Sequence, residues 1–106
     1  MQFRFIDHSD KVLKKLTEAE ERALEKVGMF VESEAQENCP VDTGRLRNSI
    51  THEIEGRYAV IGSNVEYAPH VEFGTSRSRA QPYLRPAIEQ NRDTIKKIIT
   101  DELENT

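Results

Sequence analysis

The chain has 106 residues, a net charge of -4, 36% hydrophobic residues and 32% charged residues, which predicts a single soluble domain over residues 1–106 with a small core. Its apolar runs are only a few residues long, so neither a membrane-spanning helix nor a secretory signal is expected. The lone Cys39 excludes an internal disulfide framework and a cysteine-rich zinc site.

The first predicted elements are a short strand and a long helix. Residues 2–7 alternate around Phe3 and Phe5, which is typical of a strand. Ser9 or Asp10 is then expected to cap a helix over residues 10–38, which Pro40 ends. Its apolar stripe has spacings of three and four: Val12, Leu16, Ala19, Ala23, Val27 and Phe30. Such a helix would measure roughly 43 Å, so we expect part of it to project from the core or to pack on another subunit.

A turn follows the long helix. Asp42 and Thr43 are typical of an Asx-type turn, and Gly44 is expected to adopt a positive φ there. The spacing of Leu46 and Ile50 then indicates a helical turn over residues 45–49.

A β-hairpin is predicted next. Residues 50–55 and 58–63 have strand patterns, and Gly56-Arg57 fits a type II′ turn between them. The register that this turn sets places Ile54 opposite Ala59 and His52 opposite Ile61.

The remainder of the chain predicts an exposed loop and one final helix. Residues 74–82 contain nothing large and apolar, which is typical of a loop. The helix begins near Pro82–Pro86, and one face is traced by Leu84, Ile88, Asn91, Ile95, Ile98 and Leu103. The predicted fold class is α+β, a small antiparallel sheet of three or four strands packed against a long N-terminal helix and a C-terminal helix.

Charge is distributed unevenly along the chain. Residues 1–44 have a net charge of -4, residues 45–92 a net charge of +2, and residues 93–106 a net charge of -2. Every basic residue of the middle segment is arginine, which favours rigid, bidentate contacts. The alternative is that these side chains are simply solvated. The residues that we predict to contact a partner are Arg45, Arg47, Glu72, Arg77, Arg79 and Arg85.

Catalytic and metal-binding patterns are weak. Asp42-Thr43-Gly44 followed by Val60-Ile61-Gly62 has the letters of a homodimeric aspartic protease, but a long helix precedes the first string and no flap fits between the two. Catalysis by Asp42 is therefore a remote alternative to a structural turn. The histidine spacing fits no metal motif, so we expect neither a metal nor a cofactor. An acidic chain without tryptophan is expected to make at most weak, nonspecific contact with DNA.

Three strings occur in order along the chain: PVDTGRLRNSI at residues 40–50, YAPHVEFGT at residues 67–75 and QPYLRPA at residues 81–87. They resemble the segments P-x-D-T-G-x-L-x-x-S-I, Y-A-x-x-V-E-x-G-T and x-P-F/Y-L-R-P-A of the gene-ten-like tail-component family of long-tailed phages. With the flanking helices, the resemblance covers most of the chain. The departures are Tyr83, where Phe is common, and a short loop at residues 75–81.

The resemblance implies a structural protein of a phage or prophage neck, which joins head to tail by assembling as a homo-oligomeric ring, commonly a hexamer, without catalysis. The partners implied are further copies of the chain and other neck and tail proteins, with no membrane or small-molecule substrate. Its location would be the host cytoplasm during assembly and then the virion. The structural turns would lie at Asp42, Thr43, Gly44, Gly56 and Gly74. A tail-terminator ring protein is the alternative.

Overall fold

The computed structural model of the protein describes residues 2–6, 16–40 and 44–104. Its elements, in chain order, are β1 (Gln2–Ile6), α1 (Glu18–Asn38), α2 (Gly44–Ser49), β2 (Thr51–Glu55), β3 (Tyr58–Gly62), α3 (Ala68–Phe73), α4 (Leu84–Glu89) and α5 (Arg92–Glu104). The predicted α+β class, a small antiparallel sheet of three strands packed with a long N-terminal helix and a C-terminal helix, is confirmed.

Strand β3 lies between β1 and β2 in the antiparallel sheet. The predicted hairpin register is confirmed, because Ile54 pairs with Ala59 and His52 pairs with Ile61. Gly56 in the hairpin turn has a φ of 59°, and among the described residues only glycines have positive φ. This agrees with a type II′ turn and excludes type I′, which needs positive φ at both central residues.

Helix α1 begins later than the apolar spacing predicts. Residues 10–15 lie outside the described residues, and Leu16 and Thr17 are not helical. The Thr17 hydroxyl accepts the Glu20 N–H at 3.1 Å, while the Glu20 carboxylate accepts the Thr17 N–H at 3.0 Å. This reciprocal capping box fixes the first helical residue at Glu18. The predicted start at residue 10 is therefore wrong, and the 21-residue helix is about 31 Å long.

One face of helix α1 is buried along nearly the whole length of the helix. Its buried residues are Ala19, Ala23, Leu24, Val27, Gly28, Val31 and Ala35. The predicted stripe missed Leu24, Val31 and Ala35, while Phe30 is only half-buried. Because burial extends from the first turn to the last, the described helix packs on its own subunit and the predicted projection is not seen.

The C-terminal region forms two helices instead of the single helix predicted. Helix α4 ends at Glu89 and α5 begins at Arg92. The Asn91 side chain donates to the Ala87 carbonyl at 2.9 Å, while the Asn91 N–H donates to the Ile88 carbonyl at 3.2 Å. The Asn91 side chain thus occupies the Ala87 carbonyl, which would accept the Asn91 backbone N–H in a continuous helix. The predicted face also fails near its end, since Leu103 is exposed and Glu102 is buried.

The hydrophobic core lies where α1 meets the sheet, α4 and α5. Its largest fully buried side chains are Tyr83, Leu46, Ile50, Ile61, Leu84, Ile95, Val27 and Val31. In the described parts of the chain, no helix has both the length and the apolar character that crossing a bilayer would need.

Candidate assembly surface

Glu72 joins α3 to the start of α4. Its Oε1 accepts the N–H groups of Tyr83 and Leu84 at 3.0 and 2.9 Å, and its Oε2 accepts the Arg85 N–H at 3.1 Å. Helix N-termini leave such amides without a partner inside the helix, and a carboxylate is the strongest acceptor for them. Glu72 is 3% exposed. The prediction that it contacts a partner is therefore wrong, because its carboxylate is occupied inside the subunit.

The loop after α3 is held closed by its own backbone. Gly74 has a φ of 76°, and a side-chain Cβ there would lie 2.7 Å from the Ala80 nitrogen. The Thr75 hydroxyl accepts the N–H groups of Arg77 and Ser78 at 3.1 and 3.0 Å. The Gln81 N–H donates to the Val71 carbonyl at 2.8 Å. The loop therefore has a defined conformation and returns the chain to the core at Tyr83.

Three of the predicted contact residues are exposed around this loop: Arg77, Arg79 and Arg85. Arg77 and Arg79 form no ion pair with any described residue. The Arg85 guanidinium lies over the Phe73 ring, 5.7 Å from its centroid. Phe73 is 55% exposed. We call Phe73, Arg77, Arg79 and Arg85 the cationic patch.

The other two predicted contact residues lie on α2. Arg45 forms two hydrogen bonds of 3.2 Å with the Glu66 carboxylate and lies over the Tyr67 ring. Its guanidinium is thus already engaged within the subunit, although it remains exposed. Arg47 is exposed on the same helix.

The predicted turn residues have three different outcomes. Asp42 and Thr43 lie outside the described residues. Gly44 is the first residue of α2 and does not have positive φ, so that part of the prediction is wrong. The reason is that its backbone is already helical, which any residue can adopt. Gly56 and Gly74 do have positive φ.

An imidazole between two carboxylates is a feature that the sequence reasoning missed. The His52 ring nitrogens lie 2.6 Å from Glu25 and 3.2 Å from Glu32, both on α1. Partial burial lowers the pKa of His52, but hydrogen bonds and charges from Glu25 and Glu32 outweigh burial and raise this pKa above its usual 6.5. Glu25, Gly28 and Glu32 share one helix face by their spacing, which is the signal that could have indicated the cluster.

A second missed cluster joins the two longest helices. Glu102 of α5 lies 2.6 Å from the Lys26 ammonium and 2.8 Å from the Arg22 guanidinium of α1. These two hydrogen-bonded cations hold the pKa of Glu102 below its usual 4.5. The contact joins residues far apart in the sequence, so no local pattern indicated it.

Among the described residues, no group of three or more His, Cys, Asp or Glu side chains is arranged so that it could hold a metal ion. Their charged clusters instead join one element to another. The arrangement supports rigid presentation of the cationic patch.

Comparison with protein families gives one match. Residues 3–74 match the model of the HK97-gp10-like family, described as "Bacteriophage HK97-gp10, putative tail-component". The match spans more than half of the chain, so the protein belongs to this family of phage tail components. The family's character supports a structural role in a phage virion. No curated protein and no solved structure gives a significant match to the chain.

The matched segment covers two of the three strings that carried the resemblance. It includes the strings at residues 40–50 and 67–75 and ends at Gly74. The cationic patch and helices α4 and α5 therefore lie almost wholly beyond it.

Proposed function

We propose that this protein joins the phage head to the tail by assembling as a ring of identical subunits. Membership of a tail-component family supports a virion role. The observation that carries the ring is the cationic patch, which the Glu72 carboxylate and the closed loop hold in place before any partner binds. Preorganised arginine and aromatic side chains are the residue types enriched in protein interfaces.

The proposal extends to partners and location. The partners are further copies of the chain, other neck and tail proteins and, weakly, the DNA that passes through the ring. The net charge of -4 favours this, since a strongly basic ring would retain DNA through its phosphates. Assembly takes place in the host cytoplasm, and the finished ring remains in the virion. The role requires no catalysis.

Electron microscopy and a reconstitution assay test this function. Purified protein should form rings, alone or on isolated tails, and should restore infectivity when it is added to filled heads and tails that lack it. A sample without the protein is the control. Failure to bind either heads or tails would contradict the proposal.

A tail terminator is the second candidate, and the family's description as a tail component favours it. A terminator ring ends the growing tail tube, so it should bind tube ends and limit their length even when no heads are present. A joining protein should instead leave tube length unchanged. Measuring tube lengths with and without the protein separates the two roles.

A further inference from the structure

The exposure of Phe73 is fixed by its neighbours. Glu72 directs its carboxylate into the subunit, and Gly74 packs its backbone against Ala80. The residue between them is therefore held at the surface. Arg85 covers one side of the ring, and its own backbone N–H is bonded to Glu72. A groove of about 380 Å³ runs beside the ring, with Pro82 and Pro86 in its lining.

Arginines dominate the chain segment beside this groove, although Glu89 and the inward-bonded Glu72 also line it. Between Phe73 and Ile88 the chain has three arginines and no acidic residue. Neither Arg77 nor Arg79 is neutralised by an ion pair with a described residue. The surface that fits this patch is therefore acidic, with an exposed apolar side chain to cover Phe73.

Helix α1 carries a surface of that kind. It has seven glutamates against Arg22 and Lys26, and both of these cations are bonded to Glu102. Glu20 pairs with Arg57, and His52 lies between Glu25 and Glu32, so the helix retains a net negative charge. Met29 is 55% exposed. Glu25 and Glu32 lie one turn to either side of it on the helix. Both also contact His52, but the Glu25 side chain remains 52% exposed and the pair has one more carboxylate than the imidazole can neutralise. We call Glu25, Met29 and Glu32 the acidic face.

The end of α1 strengthens the negative field. Its last turn contains no basic residue, although the helix dipole places partial negative charge there. From Val27 to Asn38 the helix has three glutamates and neither lysine nor arginine. A cationic surface from outside the subunit would be attracted to this half of α1.

The two surfaces lie at different places on one subunit. The Asn38 side chain donates to the Tyr83 carbonyl at 3.4 Å, so the loop of the cationic patch lies at the C-terminal end of α1. Met29 lies about 13 Å earlier along the helix axis, on the side opposite the buried face. Two different surfaces that fit each other produce a head-to-tail contact, which closes into a ring or extends as a filament.

We infer that the cationic patch of one copy packs on the acidic face of the next, with Phe73 against Met29 and the arginines beside Glu25 and Glu32. This inference rests on the proposed function, because it identifies the contact that would build the ring. It goes further by naming both surfaces and by making the contact heterologous.

Disulfide trapping tests the contact directly. Phe73→Cys and Met29→Cys are made in separate, differently tagged copies and mixed under mild oxidation. The mixture should give a cross-linked dimer that carries both tags, whereas neither variant alone should give it in comparable yield. Leu103→Cys is the matched control, since Leu103 is another exposed apolar residue outside both surfaces, and it should not cross-link to Phe73→Cys.

A charge exchange provides the second test. Arg85→Glu should weaken self-association roughly tenfold, since it places a like charge opposite Glu25 and Glu32. Met29→Lys should also weaken self-association, because it places a positive charge opposite the arginines of the cationic patch. The double variant should recover most of the loss, because the new lysine and glutamate then face each other across the interface. Association is measured by analytical ultracentrifugation, and circular dichroism confirms that each variant is folded.

The outcomes separate this inference from the proposed function. Rings that form without the mixed cross-link or the charge rescue would overturn the contact and leave the function standing. A wild-type chain that stays monomeric at every concentration would also overturn the contact. In that case, a measurement of whether the chain binds isolated heads and tails would still test its proposed role in joining them. A cationic patch that shifts duplex DNA while it gives no cross-link would assign this surface to nucleic acid instead.

Discussion

At the scale of single residues, buried polar groups decide how the surface is presented. Glu72 accepts three backbone N–H groups, and it stands next to the exposed Phe73. A side chain that the sequence suggested as a contact residue therefore acts inside the subunit. No local pattern reveals this, because its partners lie 11 to 13 residues further along the chain.

The first prediction concerns this carboxylate. Glu72→Gln keeps one acceptor oxygen but replaces the other with an NH₂ group that meets the Arg85 N–H. We expect the free energy of unfolding to fall by about 2 kcal/mol, since hydrogen bonds to charged groups are the strong ones. Urea denaturation measures it. Glu89→Gln, at an exposed site on α4, is the control and should change little. Equal stability of the two variants would contradict the role assigned to Glu72.

The second prediction concerns the hydroxyl of Tyr83. This side chain is fully buried, and its oxygen has no hydrogen-bond partner among the described residues. Burial is also the main reason that the pKa of Tyr83 lies well above its ordinary value of 10. Tyr83→Phe removes the unsatisfied oxygen and keeps the ring, so the protein should be unchanged or more stable by up to about 1 kcal/mol. A clear loss in urea denaturation would show that the hydroxyl does have a partner.

At the scale of elements, the hairpin can be predicted from local signals, whereas helix boundaries and contacts between distant residues are harder to predict. The hairpin was predicted with its register because the turn at Gly56 and the alternation around it are contained in a dozen residues. The start of α1 was misplaced although Thr17 and Glu20 have the spacing of a capping box. The break at Asn91 rests on a local bond from its side chain to the Ala87 carbonyl, which the apolar spacing does not register. The burial of Glu102 depends on Arg22 and Lys26, far away in the sequence.

The third prediction concerns the contact between α1 and β2. Gly28 faces His52, and a Cβ at this position would lie 2.6 Å from the His52 Cδ2. Replacing a helical glycine with alanine normally stabilises a helix by about 1 kcal/mol. Gly28→Ala should instead destabilise the protein by about 1–3 kcal/mol, because either the His52 ring, which Glu25 and Glu32 hold, or the helix must shift. Gly44→Ala is the matched control, since nothing lies near its added Cβ, and it should not destabilise. A stabilising Gly28→Ala in thermal unfolding would contradict this packing.

The fourth prediction is the pH dependence of the same contact. The pKa of His52 is raised in the folded state, so the folded chain holds the imidazole proton more tightly than the unfolded chain does. The resulting stability is complete below about pH 6.5 and is lost as the pH rises through the folded pKa. His52→Gln should therefore flatten the fall in melting temperature above neutral pH. His70→Gln, at an exposed position, should keep it. The pKa of Glu102 is lowered, so Glu102 affects the stability only in the acid range and does not contribute to the fall above neutral pH.

At the scale of the whole molecule, the ion pairs that join elements are different from the loop arginines that we propose for assembly. The pairs Glu102 with Lys26 and Glu20 with Arg57 join elements within the subunit. The arginines of the loop, by contrast, pair with no described residue. Although only a small part of the sequence is hydrophobic, the helices and the sheet enclose a hydrophobic core. Around Phe73, the described part of the subunit leaves a charged surface with an aromatic ring uncovered.

The last prediction follows from this division. Arg77→Glu or Arg79→Glu should weaken assembly, while the melting temperature of the monomer barely changes, because neither side chain pairs with the described part of its own subunit. Salt should act in the same way, since the screening length falls from about 10 Å at 0.1 M to about 3 Å at 1 M ionic strength. Arg92→Glu makes the same change of charge at another exposed site and should leave assembly intact. Sedimentation at low and high salt measures both effects. Normal assembly of the two loop variants at both salt concentrations would remove the loop from the interface, whereas equal weakening by Arg92→Glu would point to net charge alone.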